Sequence, residues 1–192
     1  MQRLIVGISG ASGVIMGYRL LQVLHDLPEV ETHLVITEGA VRNFALETEL
    51  PLADVQKLAD VVYDNQDLAA PIASGTFTTA GMLIMPCSMA SVAGIASGFA
   101  TNLLLRAADV CIKEERRLVL VPRETPLSRL HLRNLTAAAD YGCTIIPPML
   151  TFYNGAATVN QQIDHIIGKC LQKFGITYAN FRPWTGTRPV KI

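Results

Sequence analysis

The stretch GISGASG, Gly7 to Gly13, sets glycines three residues apart between an apolar run and a helical period. A turn of that kind lets a ligand touch the backbone. Gly10 and Gly13 present no side chain to bar it, Ser12 offers a hydroxyl, and amides at a helix start favour a phosphate or an anionic ring edge. A second stretch, PCSMAS, puts Ser88 and Ser91 at the start of another helical period. Alone, either loop could be an ordinary turn with an N-cap serine; two of them facing one crevice read as a binding site. The dinucleotide fingerprint G-x-G-x-x-G is not met, because Ser9 takes the middle position and Glu38, the candidate ribose acid, comes late. A nicotinamide dinucleotide is therefore disfavoured.

His25, His33, His131 and His165 lack metal-ligand spacing, so no metal centre is expected. Cys87, Cys111, Cys143 and Cys170 form neither a CxxC pair nor a zinc pattern. They read as reduced, buried thiols of a cytoplasmic protein, with Cys87 alone lying beside a candidate binding loop.

Elements must bring these loops together. Apolar runs bounded by turn residues predict strands at Arg3–Ser9, Thr32–Thr37, Met82–Cys87, Leu118–Arg123 and Thr144–Pro148. They are apolar throughout rather than alternating, as parallel strands buried on both faces are. Helical periods follow at Val14–Asp26, Arg42–Glu47, Ser91–Ser97, Asn102–Arg116, Ser128–Tyr141 and Thr158–Phe174. The repetition predicts an α/β fold, a Rossmann-like three-layer sandwich with a mostly parallel sheet flanked by helices. Asp64–Thr79 is the longest irregular piece, and in a compact domain such a loop is often functional. Ligands of open parallel sheets sit outside the strands' carboxyl ends. The stretches to watch are Ser9–Gly13, Thr37 and Glu38, Cys87–Ser91, Arg123 and Glu124, and Met149–Tyr153.

The 192 residues suit one domain spanning 1–192, without need of a disulfide or metal staple. Sixteen basic residues balance sixteen acidic ones with no block of like charge, so neither nucleic acid nor an anionic membrane is expected as partner. No apolar run approaches a bilayer span, and no export signal is read at the N-terminus. With 50% hydrophobic and only 17% charged residues, the chain is expected to hide surface against copies of itself.

Taken in order, GISGASG, ALET, PIASGTF, MPCSMASVAGIASG, NLLLRAADVCIKEERRLVLVPRETP and PPMLTFY resemble the flavin prenyltransferases of the UbiX type. That family belongs to a wider group of flavin-binding homo-oligomeric cysteine decarboxylases. The resemblance implies a dodecamer built from trimers that binds FMN at subunit interfaces. It also implies transfer of a dimethylallyl group from dimethylallyl phosphate to N5 and C6 of reduced FMN, the prenylated FMN then serving a UbiD-type aromatic-acid decarboxylase. Residue by residue, Gly10, Ala11, Ser12 and Thr37 would line the flavin, and Ser88, Met89, Ala90 and Ser91 would cradle its phosphate end. Arg123 would reach the same FMN from a neighbouring subunit. Lys113, Arg123, Tyr153 and Lys169 would take the prenyl phosphate, while Ser12, Glu47 and Glu124 would handle protons.

The chemistry fits those residue types. Displacing phosphate from an allylic carbon leaves anionic charge on one side and cationic charge on the other, which fixed cations and a π-rich face can stabilise without metal. Ring closure on the flavin must release a proton, and Glu47 or Glu124 is the expected acceptor. By residue type alone Lys113 reads as a solvated helix end, Glu47 as an exposed helix residue, Tyr153 as a loop cap, and Arg106 with Asp109 as a mutual pair. The resemblance reverses the first three. Two departures from the family pattern stand out: Lys169 where an Arg is usual, which loses the fork that grips two phosphate oxygens, and Leu68 where some members carry Trp. The sister decarboxylases use a site histidine, and residues 34–130 contain none. Two other readings are an FMN carrier and a subunit of an aromatic-acid decarboxylase, neither with prenyl transfer of its own.

Overall fold

The computed structural model describes residues 1–186. Six strands form one sheet: β1 (Gln2–Ile8), β2 (Val30–Ile36), β3 (Val61–Tyr63), β4 (Gly81–Cys87), β5 (Arg117–Pro122) and β6 (Thr144–Ile145). Every pairing is parallel, and the order is β3-β2-β1-β4-β5-β6. The five expected strands are present, and β3 is an addition at the edge. Its three residues are only partly buried, too short a run to show in an apolar pattern.

Seven helices cover the sheet: α1 (Val14–His25), α2 (Glu38–Glu47), α3 (Leu52–Gln56), α4 (Met89–Ser97), α5 (Leu103–Lys113), α6 (Arg129–Asp140) and α7 (Val159–Gln172). Side chains of α1, α2 and α7 share one buried cluster with Leu4, Val6, Ile8, Leu34 and Leu83. Those of α4 and α5 share another with Ile5, Val35, Met82, Ile84 and Leu120. Odd and even strand positions thus feed opposite layers, as the pleat requires, and the sandwich has three layers.

Several boundaries differ from expectation for local reasons. The second helix starts at Glu38 rather than Arg42, because Thr37 caps it: its side chain accepts from Ala40 N. The fourth starts at Met89 rather than Ser91, with Ser88 as cap. β6 ends at Ile145, short of the expected Pro148, since Pro147 and Pro148 have no N–H to give a ladder. Gly7 is also reassigned. It lies inside β1, where an added Cβ would come 3.0 Å from Met82 Cε and 3.1 Å from Leu104 Cδ1, so it makes room for the core and not for a ligand.

The long 64–79 loop is strapped to α5. Asn65 Oδ1 accepts from Leu104 N at 3.0 Å, Arg106 Nε donates to Ala73 O at 3.2 Å, and Arg116 donates to the carbonyls of Gly75 and Phe77. Arg106 also pairs with Asp109 at 2.7 Å, the i,i+3 partnership expected.

Candidate functional site

The strand order reverses between β1 and β4, each of which continues the sheet in its own direction from there. In doubly wound sheets that switch point opens the ligand crevice. Here one buried hydroxyl spans it: Ser9, fully buried, donates from Oγ to Pro86 O at 3.1 Å and accepts from Ser88 N at 2.7 Å. Ser88 caps α4 by accepting from Ser91 N at 3.2 Å, and the two hydroxyls lie 3.0 Å apart. Met89 and Ala90, the next two residues, have no carbonyl one turn back to receive their amides, which are left for an anion at the positive end of the helix. Arg123, the first residue after β5, is brought alongside, its N–H donating to Cys87 O at 3.1 Å. Its side chain is exposed and makes no ion pair among the described residues.

On the other side of β1, Gly10 lies against Gly39. A Cβ on Gly10 would sit 3.0 Å from Gly39 Cα, so this approach of two backbones requires glycine. It sets the Gly10–Ser12 turn beside Thr37, whose N–H donates to Ile8 O at 3.0 Å. Gly13 caps α1 in the left-handed conformation, φ 93°, and donates its N–H to Glu47 Oε2 at 2.7 Å. Glu47, exposed by type, is thereby held from the end of α2 across to the start of α1. Gly10, Ala11, Ser12, Thr37, Glu47, Ser88, Met89, Ala90, Ser91 and Arg123 therefore form one contiguous rim.

The remaining expected site residues are spread out. Glu124 is exposed beside Arg123, its Oε1 accepting from Thr125 N at 3.0 Å. Tyr153 and Lys169 lie past β6, on the loop before α7 and on α7 itself, and no hydrogen bond ties them to the Ser9–Ser88 crevice among the described residues. Lys113 is at the carboxyl end of α5, hence at the amino end of β5, opposite the crevice; it pairs with Glu114. Within one chain it cannot join the rim. Leu68 is half-exposed in the long loop. Sequence reasoning placed Ser9 in the stretch Ser9–Gly13 but gave its hydroxyl no role: its partners, Pro86 on β4 and Ser88 just after it, lie about eighty residues away.

All four cysteines are free and buried. Burial pushes the Cys87 thiol far above its usual range, so it is an inert wall of the crevice and no nucleophile. Among the described residues no group of His, Cys, Asp and Glu could hold a metal ion, and no helix is long and apolar enough to cross a membrane.

Fold and rim define a doubly wound α/β protein with a serine-capped helix start at its switch point. The flavoprotein family is matched over residues 1–175. A probable UbiX-like flavin prenyltransferase of Sedimentibacter hydroxybenzoicus is 59% identical over 186 residues, 97% of this chain and 98% of the relative. The flavin prenyltransferase UbiX of Escherichia coli K12 is 49% identical over 188 residues, 97% of this chain and all of that one. A crystal structure of a dodecameric FMN-dependent UbiX-like decarboxylase from Escherichia coli O157:H7 superposes with a TM-score of 0.94 at 46% identity, covering 96% of this chain and 100% of that one. AnUbiX in complex with FMN and dimethylallyl pyrophosphate also gives 0.94, at 42% identity over 97% of this chain and 99% of that one. The chain belongs to the flavoprotein family and, within it, to the UbiX-like flavin prenyltransferases.

The rim fits FMN. Free amides and two hydroxyls at the start of α4 match a phosphate, and the Gly10–Gly39 contact leaves a side-chain-free floor of the kind a planar ring needs.

Proposed function

We propose that this chain is itself a flavin prenyltransferase, moving a dimethylallyl group from dimethylallyl phosphate to N5 and C6 of reduced FMN. The observation that carries this reading is the Ser9–Ser88 tie, which joins the glycine turn to the start of α4 in one rim. Reduced FMN, when bound, supplies the nucleophilic nitrogen and ring carbon. The protein's work is to hold, orient and move protons. Ser88, Ser91 and the Met89 and Ala90 amides hold the FMN phosphate, with the exposed Arg123 as its cation. Gly10, Ala11, Ser12 and Thr37 face the ring.

Tyr153 and Lys169, with Arg123, take the donor's phosphate and stabilise the charge that grows on it as it leaves. Lys113 joins them only from another copy of the chain, in a homo-oligomer that completes the site. Glu47 is held through Oε2 by Gly13 N, which leaves Oε1 to accept the ring proton; Glu124 and the Ser12 hydroxyl relay protons nearby. The prenylated FMN passes to a UbiD-type aromatic-acid decarboxylase. Four free, buried thiols support a reducing cytoplasmic setting.

One observation favours a second reading, an FMN carrier without chemistry: a single chain does not gather Lys113 with the other cations. The two separate experimentally. The protein is mixed anaerobically with reduced FMN and dimethylallyl phosphate, and the extracted flavin is weighed. A mass increase of one prenyl group is expected. Arg123→Ala or Lys169→Ala should then slow transfer on the order of a hundredfold, whereas a carrier would show an unchanged flavin mass throughout.

A further inference from the structure

Tyr153 stands in the irregular stretch between β6 and α7, half-exposed, in contact with rings on two sides. Side chains of α7 hold that stretch. Gln162 clamps the backbone of Thr151, accepting from its N at 2.9 Å and donating to its O at 2.8 Å. His165, three residues on, lies against the Tyr153 ring with centroids 5.9 Å apart and planes at 84°. Lys169 follows four residues later. At about 3.6 residues per turn, Gln162, His165 and Lys169 fall on one stripe of the helix.

His165 is 2% exposed, and neither ring nitrogen has a hydrogen-bond partner among the described residues. Phe181 closes its other side at 5.2 Å, an approach that Gly168 permits, since a Cβ there would lie 2.3 Å from Phe181 Cβ. Burial, and then the charge of Lys169, lower its pKa, so it stays an uncharged ring at neutral pH. A buried imidazole without hydrogen bonds is unfavourable by itself. What it does offer is a rigid edge for an aromatic pair, which fixes ring orientation.

We propose that His165 is a positioning residue for the allylic donor: its buried ring sets the Tyr153 phenol, which receives the donor's phosphate together with Lys169. This rests on the prenyl-transfer reading above. The stripe then has a division of labour, with Gln162 fixing the loop's backbone, His165 its aromatic side chain, and Lys169 supplying charge.

Two variants separate ring from volume. His165→Phe keeps a flat ring; His165→Leu fills the space without one, and His165→Met replaces it if the leucine variant does not fold. His165→Phe should leave the KM for dimethylallyl phosphate within about twofold of the parent, while His165→Leu raises it about fivefold, the range of one aromatic pair. FMN affinity should hold in both. In a Tyr153→Leu background, His165→Leu should add nothing further. A second readout needs no turnover: Trp184, the lone tryptophan, packs on Tyr153 at 5.3 Å, so its emission in the full chain should shift in His165→Leu and stay put in His165→Phe. Unchanged donor KM and emission in His165→Leu, a parallel loss of FMN affinity, or full additivity with Tyr153→Leu would overturn the proposal. A parent protein that transfers no prenyl group sinks the reading beneath it instead, and the emission of Trp184 tells the two failures apart.

Discussion

Ser9 and Glu47 show how little it takes, at the level of one residue, to turn a generic turn into a site. Ser9→Ala would leave Ser88 N without its acceptor, whereas Pro86 O keeps the Ser9 N–H as donor at 3.1 Å, and an unsatisfied buried group costs about 1–3 kcal/mol. Urea unfolding should show that loss, with FMN affinity falling alongside because α4 is no longer tied to the turn. Glu47→Gln makes the opposite test. The amide oxygen can still accept from Gly13 N, so flavin affinity should hold; without a base, turnover should fall about a hundredfold or more. Single-turnover mixing with flavin bound in excess checks it. Equal losses in affinity and rate would mean that Glu47 is only a brace.

Helix starts are what the elements contribute. α1, α2 and α4 all begin at the carboxyl ends of β1, β2 and β4, where their amides and positive ends point at one crevice. Caps make those starts definite, and they can be compared. Ser88→Ala should cost about 1 kcal/mol of stability, and so should Thr158→Ala, which removes the cap of α7. Only the first should weaken FMN binding, because of these two helices only α4 starts at the crevice that the FMN phosphate is proposed to occupy. Thermal melting with and without FMN separates the two: the FMN-induced rise in Tm should shrink in Ser88→Ala and persist in Thr158→Ala.

The whole molecule sets the pH range and the need for company. Burial raises the thiols, Cys111 and Cys170 to about 12 and Cys143 to about 11. A group whose pKa is raised by folding stabilises the fold below its unfolded value, and loses that contribution as pH climbs through the window up to the folded one. Stability should therefore drop above about pH 9, by about 1.4 kcal/mol per pH unit for each such thiol. His33 and His165 shift downward, chiefly by burial, so they withdraw stability as pH falls below about 6.5. Urea midpoints from pH 5 to 10 should trace a plateau between these limits. Phe152 at 86% exposure and Leu46 at 82% leave apolar surface uncovered in the single chain. With Lys113 on the far side of its own chain, an assembled form should carry the activity. Phe152→Glu should lower the mass measured by light scattering and turnover together.

Sequence alone determined the alternation of strands and helices, because buried parallel strands must be apolar along their length and that signal is local. It also carried the serine and glycine turns, whose residue types follow from backbone and capping requirements within a few positions. Short edge pieces such as Val61–Tyr63 escaped, having too few buried residues to make a pattern. Tertiary structure alone decided that Gly7 serves the core while Gly10 serves the crevice, and that Ser9 reaches across to Ser88. It alone set His165 beneath Tyr153 and Lys113 at the opposite end of the sheet. Each of those depends on which distant segment folds against which, and no local pattern encodes a partner that lies many residues away.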